Sequence, residues 1–251
     1  MGVMSVVSSR DVDITVRTDS ISGKGIARSL FLLGGRPPEK SWLADLASRN
    51  SPKVWAVDSG AASCRLSGID PSELIGDRDS SSPDDWEWAR SRGARERLYN
   101  KDKDRTDFQL ALSLYIEDVR KTSGRGFGHV LTVSGCFGGA LDHLLSIVDT
   151  LALDEGPFFR CMMDDREGVF FIHPGITSSI IFSKSPEAVS LLSMTDGCEA
   201  GIEGVKWPLD SEIIERRLQW AVSNEVLSSG DGARPVKVSC RRGVLAFCWR
   251  F

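Results

Sequence analysis

The sequence has no apolar run that could cross a membrane. Runs such as Leu30–Leu33 and Val169–Ile172 are far shorter than the roughly 18 residues that a membrane-spanning helix needs. The first residues, MGVMSVVSSRDVD, have neither the basic region nor the apolar stretch of about 7 to 15 residues that marks a secretory signal. We therefore expect a cytoplasmic protein that does not act at a membrane.

The sequence also lacks an excess of positive charge. Lys and Arg total 31 against 35 for Asp and Glu, which gives a net charge of -4. This balance argues against a nucleic-acid-binding protein that works by broad neutralisation of phosphates, because such proteins present strongly basic surfaces. Small anionic ligands remain compatible with it.

Cysteines at metal-binding or redox spacing are absent as well. The 6 cysteines are scattered without a CxxC spacing, and a chain of 251 residues can bury a core that needs no disulfides. Cys240 and Cys248 flank a predicted turn and could face each other across a hairpin, but the expected compartment favours free thiols. We expect all the cysteines to be reduced and mostly buried.

Two parts of the chain differ in the period of their hydrophobic pattern. Residues 28–154 alternate short apolar runs with longer amphipathic segments such as TDFQLALSLYIEDVRK, a pattern typical of an α/β fold with a parallel sheet. Residues 155–251 carry short alternating runs separated by turn signals, which predicts an antiparallel β-sandwich. Residues 1–27 form an N-terminal extension, in which VDITVR could be an extra edge strand or part of a disordered arm.

Three acidic clusters follow predicted strands of the first part. Their aspartates are Asp58 after VWAV, Asp77 and Asp79 after SELIG, and Asp102, Asp104 and Asp107 within NKDKDRTD. Because the carboxyl ends of parallel strands meet at one edge of a sheet, these carboxylates would repel one another unless cations lay among them. Mg²⁺ suits such oxygen ligands and usually binds substrate phosphates at the same time. The clusters therefore predict chemistry on a phosphorylated substrate.

The common phosphate-binding loops are missing. The sequence contains no GxxxxGK[ST] motif, and no GxGxxG motif follows the first strand of this part. Candidate phosphate contacts are the side chains of Lys101, Lys103 and Arg105 and the backbone amides of Gly34–Gly35 and Gly138–Gly139.

Several segments, taken in order, resemble the motifs of thiamine pyrophosphokinases. VDSGAASCRL is similar to the family's D-G-G-A-N segment, and GIDPSELIGDRDS, NKDKDRTDFQLAL and GCFGGALDHLLS are similar to its three acidic motifs. GVKWPLDSE and AVSNEVL are similar to its G-x-K-Y-P-L and S-N-E signatures. The similarity runs from Ser29 to Leu227, and the combination is specific although each motif alone is weak.

The resemblance implies a Rossmann-like α/β domain that binds ATP, followed by an antiparallel β-sandwich domain that binds thiamine. It implies an Mg²⁺-dependent transfer of pyrophosphate from ATP to the hydroxyl of thiamine, which gives thiamine diphosphate and AMP. It also implies a homodimer whose sites lie between the subunits.

The resemblance further implies three sets of site residues. The catalytic set is Asp58, Asp77, Asp79 and Asp107, of which Asp77, Asp79 and Asp107 would hold the metal. The ATP-binding set is Gly34, Gly35, Ser59, Lys103, Asp104, Thr106, Gly139, Asp142 and His143. The thiamine-binding set is Ser223 and Asn224, with Trp207 and Trp220 as aromatic walls.

Four positions depart from the family pattern. They are Ser59 in place of a Gly, Ala62 in place of an Asn, Ala140 in place of an Arg and Ile147 in place of a second Asn. Loss of an arginine from a phosphate site removes charge-assisted hydrogen bonds, and either Arg78 or Arg105 could supply the missing charge.

Three other functions remain open at this point. The acceptor could be another hydroxymethyl heterocycle such as a pterin, because the second part of the chain selects it. The chain could bind nucleotide or thiamine without turnover. It could also be a metal-dependent phosphohydrolase.

Overall fold

The computed structural model describes residues 2–18, 26–79, 81–100, 104–122, 128–153, 156, 158–229, 232–233 and 235–251. Within those ranges the helices are α1 (Lys40–Asn50), α2 (Gly60–Ser67), α3 (Pro83–Ser91), α4 (Asp107–Thr122) and α5 (Leu141–Leu153). The first strands are β1 (Gly2–Ser8), β2 (Val12–Thr18), β3 (Ala27–Leu32), β4 (Lys53–Val57), β5 (Glu73–Gly76), β6 (Arg95–Leu98), β7 (His129–Ser134) and β8 (Phe158–Met163). The remaining strands are β9 (Glu167–Ile172), β10 (Ile176–Phe182), β11 (Ala188–Ser193), β12 (Cys198–Glu203), β13 (Leu209–Ile214), β14 (Ser228–Ser229), β15 (Gly232–Ala233), β16 (Val236–Arg242) and β17 (Leu245–Arg250).

A 9-stranded sheet in the order β11-β17-β9-β8-β7-β3-β4-β5-β6 forms the centre of the molecule. The strands from β8 to β6 in that order are parallel, and β9, β17 and β11 join antiparallel at one side. The parallel strands place the segments that follow β3, β4, β5 and β7 at the same edge. The prediction of an α/β fold with a parallel sheet is therefore confirmed.

A second sheet of 6 strands, in the order β1-β2-β10-β16-β12-β13, is antiparallel throughout. Together the two sheets confirm the predicted fold class. The first residues of the chain supply β1 and β2, and β2 lies between β1 and β10, so VDITVR forms an interior strand rather than an edge strand or an arm. The larger sheet crosses the boundary placed at 154/155, whose two residues lie outside the described ranges, and the division into domains stays a prediction.

Alternate residues of the central strands face two separate cores, as the period of a β-strand requires. Phe31 and Trp55 pack against α4, where Tyr115 meets both rings edge-on, while Leu30 and Val54 pack towards α1, α2, α3 and the second sheet. The amphipathic segment TDFQLALSLYIEDVRK forms α4 and buries one apolar face; its residues are Phe108, Ala111, Leu112, Tyr115 and Val119. This packing fixes the N-terminal end of α4 over the carboxyl ends of the strands.

All 6 cysteines are free, which confirms the expectation of reduced thiols. The neighbour of Cys240 is not Cys248 but Cys198, and their sulfur atoms are 3.6 Å apart. Cys240 and Cys248 lie on strands of different sheets, so the hairpin that would bring them together does not exist. Among the described helices, none has the length and apolar character to span a membrane.

Candidate active site

A cavity of about 650 Å³ opens at the carboxyl edge of the parallel strands. Its walls come from the segments after β3, β4, β5 and β7 and from the first turns of α4 and α5. The predicted site residues that line it are Gly34, Gly35, Asp58, Ser59, Asp77, Asp79, Asp104, Thr106, Asp107, Gly139 and His143. Lys101, Asp102 and Lys103 lie outside the described residues. The fold therefore gathers most of the first two predicted sets in one place.

Three carboxylates converge in this cavity. Asp58, Asp77 and Asp107 each offer an oxygen, and these oxygens all lie within 4.8 Å of one another. Three hard oxygen donors at that spacing, all partly accessible, fit a divalent cation such as Mg²⁺. Without a cation, three negative charges so close together would repel one another strongly.

Asp79 lines the cavity but does not belong to this group. Two residues apart on an extended strand, Asp77 and Asp79 would point the same way, but the chain turns at Arg78, whose φ is 69°. Asp77 Oδ1 instead accepts a hydrogen bond of 3.1 Å from the backbone N–H of Asp79. The geometry thus groups Asp58, rather than Asp79, with Asp77 and Asp107.

Asp58 follows directly after the last residue of β4. Its N–H donates to Ile75 O at 2.8 Å, which extends the pairing with β5, and its φ of 49° turns the chain into α2. The neighbouring Gly76 leaves room for its carboxylate, because a Cβ atom there would lie 2.0 Å from Asp58 Oδ1. A left-handed conformation at a non-glycine residue is strained, and the hydrogen bonds of the surrounding strands hold Asp58 in it.

The loops after β3 and β7 are held together by backbone hydrogen bonds. Gly35 N–H donates to Gly135 O at 2.7 Å, and Arg36 N–H donates to Phe137 O at 2.6 Å. The hydroxyl of Ser59 lies over Gly34, where a Cβ atom would be 1.8 Å from Ser59 Oγ. The serine that departs from the family pattern is therefore accommodated by a glycine on the neighbouring loop.

Thr106 and Gln109 form a capping box at the start of α4. Thr106 Oγ1 accepts from Gln109 N–H at 3.2 Å, and Gln109 Oε1 accepts from Thr106 N–H at 3.1 Å. Gln109 also lines the cavity, as do Phe108 and Ser146, and none of the three was predicted as a site residue. The T-x-x-Q pattern was a usable signal for Gln109. The cap holds Asp107, in the first turn of α4, at the carboxylate group.

The start of α5 forms another wall. His143, Ala140 and Ile147 line the cavity, whereas Asp142 is exposed outside it and accepts from His143 N–H at 3.0 Å. Cys136 also lines the cavity, and burial, followed by the charge of Asp164, raises the pKa of its thiol, so it stays protonated rather than acting as a nucleophile.

The two arginines considered as phosphate contacts differ in their surroundings. Arg78 hydrogen-bonds to Glu96, and its guanidinium lies 5.4 Å from the ring centroid of Trp86. Arg105 lines the cavity. Among the described residues, Arg105 has one hydrogen bond, from Nη1 to Ser113 Oγ at 3.3 Å.

The four predicted thiamine-binding residues lie outside this cavity. Asn224 ties two segments together, because its amide accepts from Trp207 N–H at 3.1 Å and donates to Trp207 O at 2.7 Å. The backbone N–H of Ser223 donates to Ser190 Oγ at 3.0 Å. Trp207 and Trp220 are exposed, at 52% and 46%. Their proposed role in binding thiamine stays a prediction.

Solved structures of similar fold include two thiamine pyrophosphokinases. The enzyme from Bacillus subtilis has a TM-score of 0.70 and 21% identity, covering 89% of this chain and 98% of that chain. The enzyme from Candida albicans has a TM-score of 0.70 and 15% identity over the full length of both chains. At this level of identity the likeness concerns the fold.

The sequence comparisons are more specific. Thiamine pyrophosphokinase from Bacillus subtilis (strain 168) is 23% identical over 205 residues, which cover 80% of this chain and 91% of the relative. Residues 44–157 match the family model of the thiamin pyrophosphokinase catalytic domain, and residues 178–245 match that of its vitamin B1 binding domain. On these matches, in the expected order along one chain, the protein belongs to the thiamin pyrophosphokinase family.

Proposed function

We propose that this protein transfers the pyrophosphoryl group of ATP to the hydroxyl of thiamine, with Mg²⁺ bound at Asp58, Asp77 and Asp107. The observation that carries the proposal is the convergence of these three carboxylates within 4.8 Å, in a chain that matches both domains of the family. A bound Mg²⁺ would neutralise phosphate charge as the leaving group departs.

The reaction forms a bond between the thiamine oxygen and the β-phosphorus and breaks the bond from that phosphorus to the oxygen that bridges it to the α-phosphorus. AMP leaves, and the hydroxyl proton passes to a base. Such a transfer needs positioning and charge stabilisation rather than a protein nucleophile. The buried, protonated Cys136 and the clustered aspartates agree with that requirement.

We also propose that the protein is a homodimer, in which the thiamine-binding residues of one copy complete the cavity of the other. This part of the proposal is supported by the cavity lining of a single chain, which includes none of Trp207, Trp220, Ser223 and Asn224. It is further supported by exposed apolar side chains in the segment 207–227; these are Trp207, Ile213, Leu218, Trp220, Val222 and Leu227. Exposed apolar side chains in such number are typical of an interaction surface. The free thiols suit a reducing compartment, and we propose the cytoplasm.

The direct test is an assay of purified protein with ATP, Mg²⁺ and thiamine that measures AMP and thiamine diphosphate. Formation of both in equal amounts supports the proposal. AMP formed only with another hydroxymethyl heterocycle would show that the acceptor is that compound and not thiamine. Phosphate release without an acceptor would indicate a hydrolase. Ligand binding without turnover would indicate a binding protein.

The dimer is tested with two inactive variants, Asp77→Asn and Trp220→Ala. Equal amounts of the two are mixed, unfolded and then refolded together. Random assortment yields heterodimers with one intact site, so about a quarter of wild-type activity should return if sites are shared. No recovery from a confirmed mixture of dimers would contradict sites shared between subunits.

A further inference from the structure

The described lining of the cavity has more carboxylates than cationic side chains. Among its described lining residues the carboxylates are Asp58, Asp77, Asp79, Asp104 and Asp107, and the one permanently cationic side chain is Arg105. A nucleoside triphosphate would bring several further negative charges into the cavity. Metal ions offset part of them, and a cationic side chain in the lining can add charge-assisted hydrogen bonds to the phosphate oxygens.

The other arginines near this edge of the described sheet already have carboxylate partners. Arg36 donates to Asp164 Oδ2 at 2.6 Å and to Glu167 Oε1 at 2.6 Å. Arg78 is bound to Glu96. On the opposite wall, Ala140 offers only a methyl group. Among the described lining residues, the cationic group that can meet an incoming anion is therefore Arg105; Lys101 and Lys103 lie outside the described residues.

The guanidinium of Arg105 is not neutralised by a carboxylate of the described residues. No carboxylate of the described residues lies within ion-pair distance, and its single bond is to the neutral hydroxyl of Ser113. That hydroxyl donates its own proton to Gln109 O at 2.9 Å, so it faces Arg105 with a lone pair. A guanidinium has five N–H donors, which leaves most of them for a ligand. The capping box of the adjoining Thr106 anchors the backbone beside it.

We propose that Arg105 binds the β- and γ-phosphates of the nucleotide through its guanidinium group. The inference rests on the proposed function for the identity of the nucleotide. The planar guanidinium can bind two phosphate oxygens at once, which an ammonium group cannot.

The test is a calorimetric titration of the full chain with ATP, ADP and AMP in the presence of Mg²⁺. The variants are Arg105→Ala, Arg105→Lys and, as a matched control, Arg120→Ala. Arg120 is an exposed arginine in the last turn of the same helix, about 20 Å away by the rise of an α-helix.

We expect Arg105→Ala to lower the affinity for ATP and ADP by about ten- to hundredfold while the affinity for AMP stays within about twofold. Arg105→Lys should lose less, and Arg120→Ala should match the wild type. Unchanged ATP affinity in Arg105→Ala would overturn the inference, and so would an equal loss for AMP, which would indicate a structural effect.

The outcome is separable from that of the proposed function, because the titration needs no acceptor and no turnover. A wild-type chain that binds ATP through Arg105 but makes no thiamine diphosphate would leave the inference standing and refute the function. A wild-type chain with no affinity for ATP would refute both.

Discussion

Gly76 and Asp58 lie so close together that a Cβ atom on residue 76 would be 2.0 Å from Asp58 Oδ1. The pair links the end of β5 to the carboxylate that follows β4. The proposed metal site therefore depends on a residue that carries no functional group of its own.

We predict that Gly76→Ala displaces the Asp58 carboxylate and raises the Mg²⁺ concentration needed for half-maximal activity by about ten- to hundredfold, as loss of a supporting residue does at metal sites. The control is Gly93→Ala. Gly93 also has a positive φ, 90°, but a Cβ atom there would meet nothing within 4 Å. Its substitution should lower the melting temperature without changing the Mg²⁺ requirement. Equal Mg²⁺ requirements in the two variants would contradict the prediction.

The grouping of the carboxylates makes a second prediction. Asp58→Asn, Asp77→Asn and Asp107→Asn should each raise the Mg²⁺ concentration needed for half-maximal activity by about tenfold or more, because each removes a charged ligand. Asp79→Asn should change it far less, since Asp79 lies outside the group. The measurement is activity against Mg²⁺ concentration at saturating ATP. An Asp79→Asn variant as defective as Asp58→Asn would restore Asp79 to the metal site.

Asn224 and Ser223 should separate into structural and binding roles. Asn224→Ala removes the hydrogen bonds to both backbone groups of Trp207, and we expect it to cost about 1–2 kcal/mol of unfolding free energy. Ser223→Ala should leave stability unchanged, because the serine is held through its backbone N–H, yet it should raise the KM for thiamine. Thermal unfolding followed by tryptophan fluorescence, together with steady-state kinetics, measures both. A stable Asn224→Ala variant would refute the structural role.

Glu73 should make the stability of the sheet dependent on pH. Burial opposes its ionisation, but hydrogen bonds from Arg97 and Lys53, both at 2.9 Å, outweigh burial and hold its pKa below the usual value. A carboxyl group with a lowered folded-state pKa contributes stability above its unfolded pKa of about 4.3, and that contribution is lost as the pH falls further.

Glu73→Gln should therefore melt at a lower temperature than the wild type at pH 7, and the difference should shrink below about pH 4. Melting curves across this range measure it. The control is Glu87→Gln, which removes an exposed partner of Arg90 and should have little effect at any pH. A difference between Glu73→Gln and the wild type that is independent of pH would contradict the assignment.

Much of the site follows from local patterns in the sequence. The alternation of apolar runs predicts parallel strands, and aspartates directly after those runs must then lie at one edge. The choice between Asp58 and Asp79 does not follow, because it depends on the backbone at Arg78, where a φ of 69° breaks the alternation of an extended chain. The same turn carries Arg78 to Glu96, and so separates its role from that of Arg105.

The sequence by itself determined the two kinds of sheet, the helix stripe of α4, the family and the aspartates of the cavity, because periodicity and caps act over a few residues. Only the tertiary structure decided which oxygens lie within 4.8 Å, that Cys240 meets Cys198, and that β2 lies beside β10. In that last pairing Arg17 lies opposite Thr177, although most of the chain separates the two residues in sequence. Contacts between residues so far apart are selected by the burial of whole sheet faces, which no local pattern specifies.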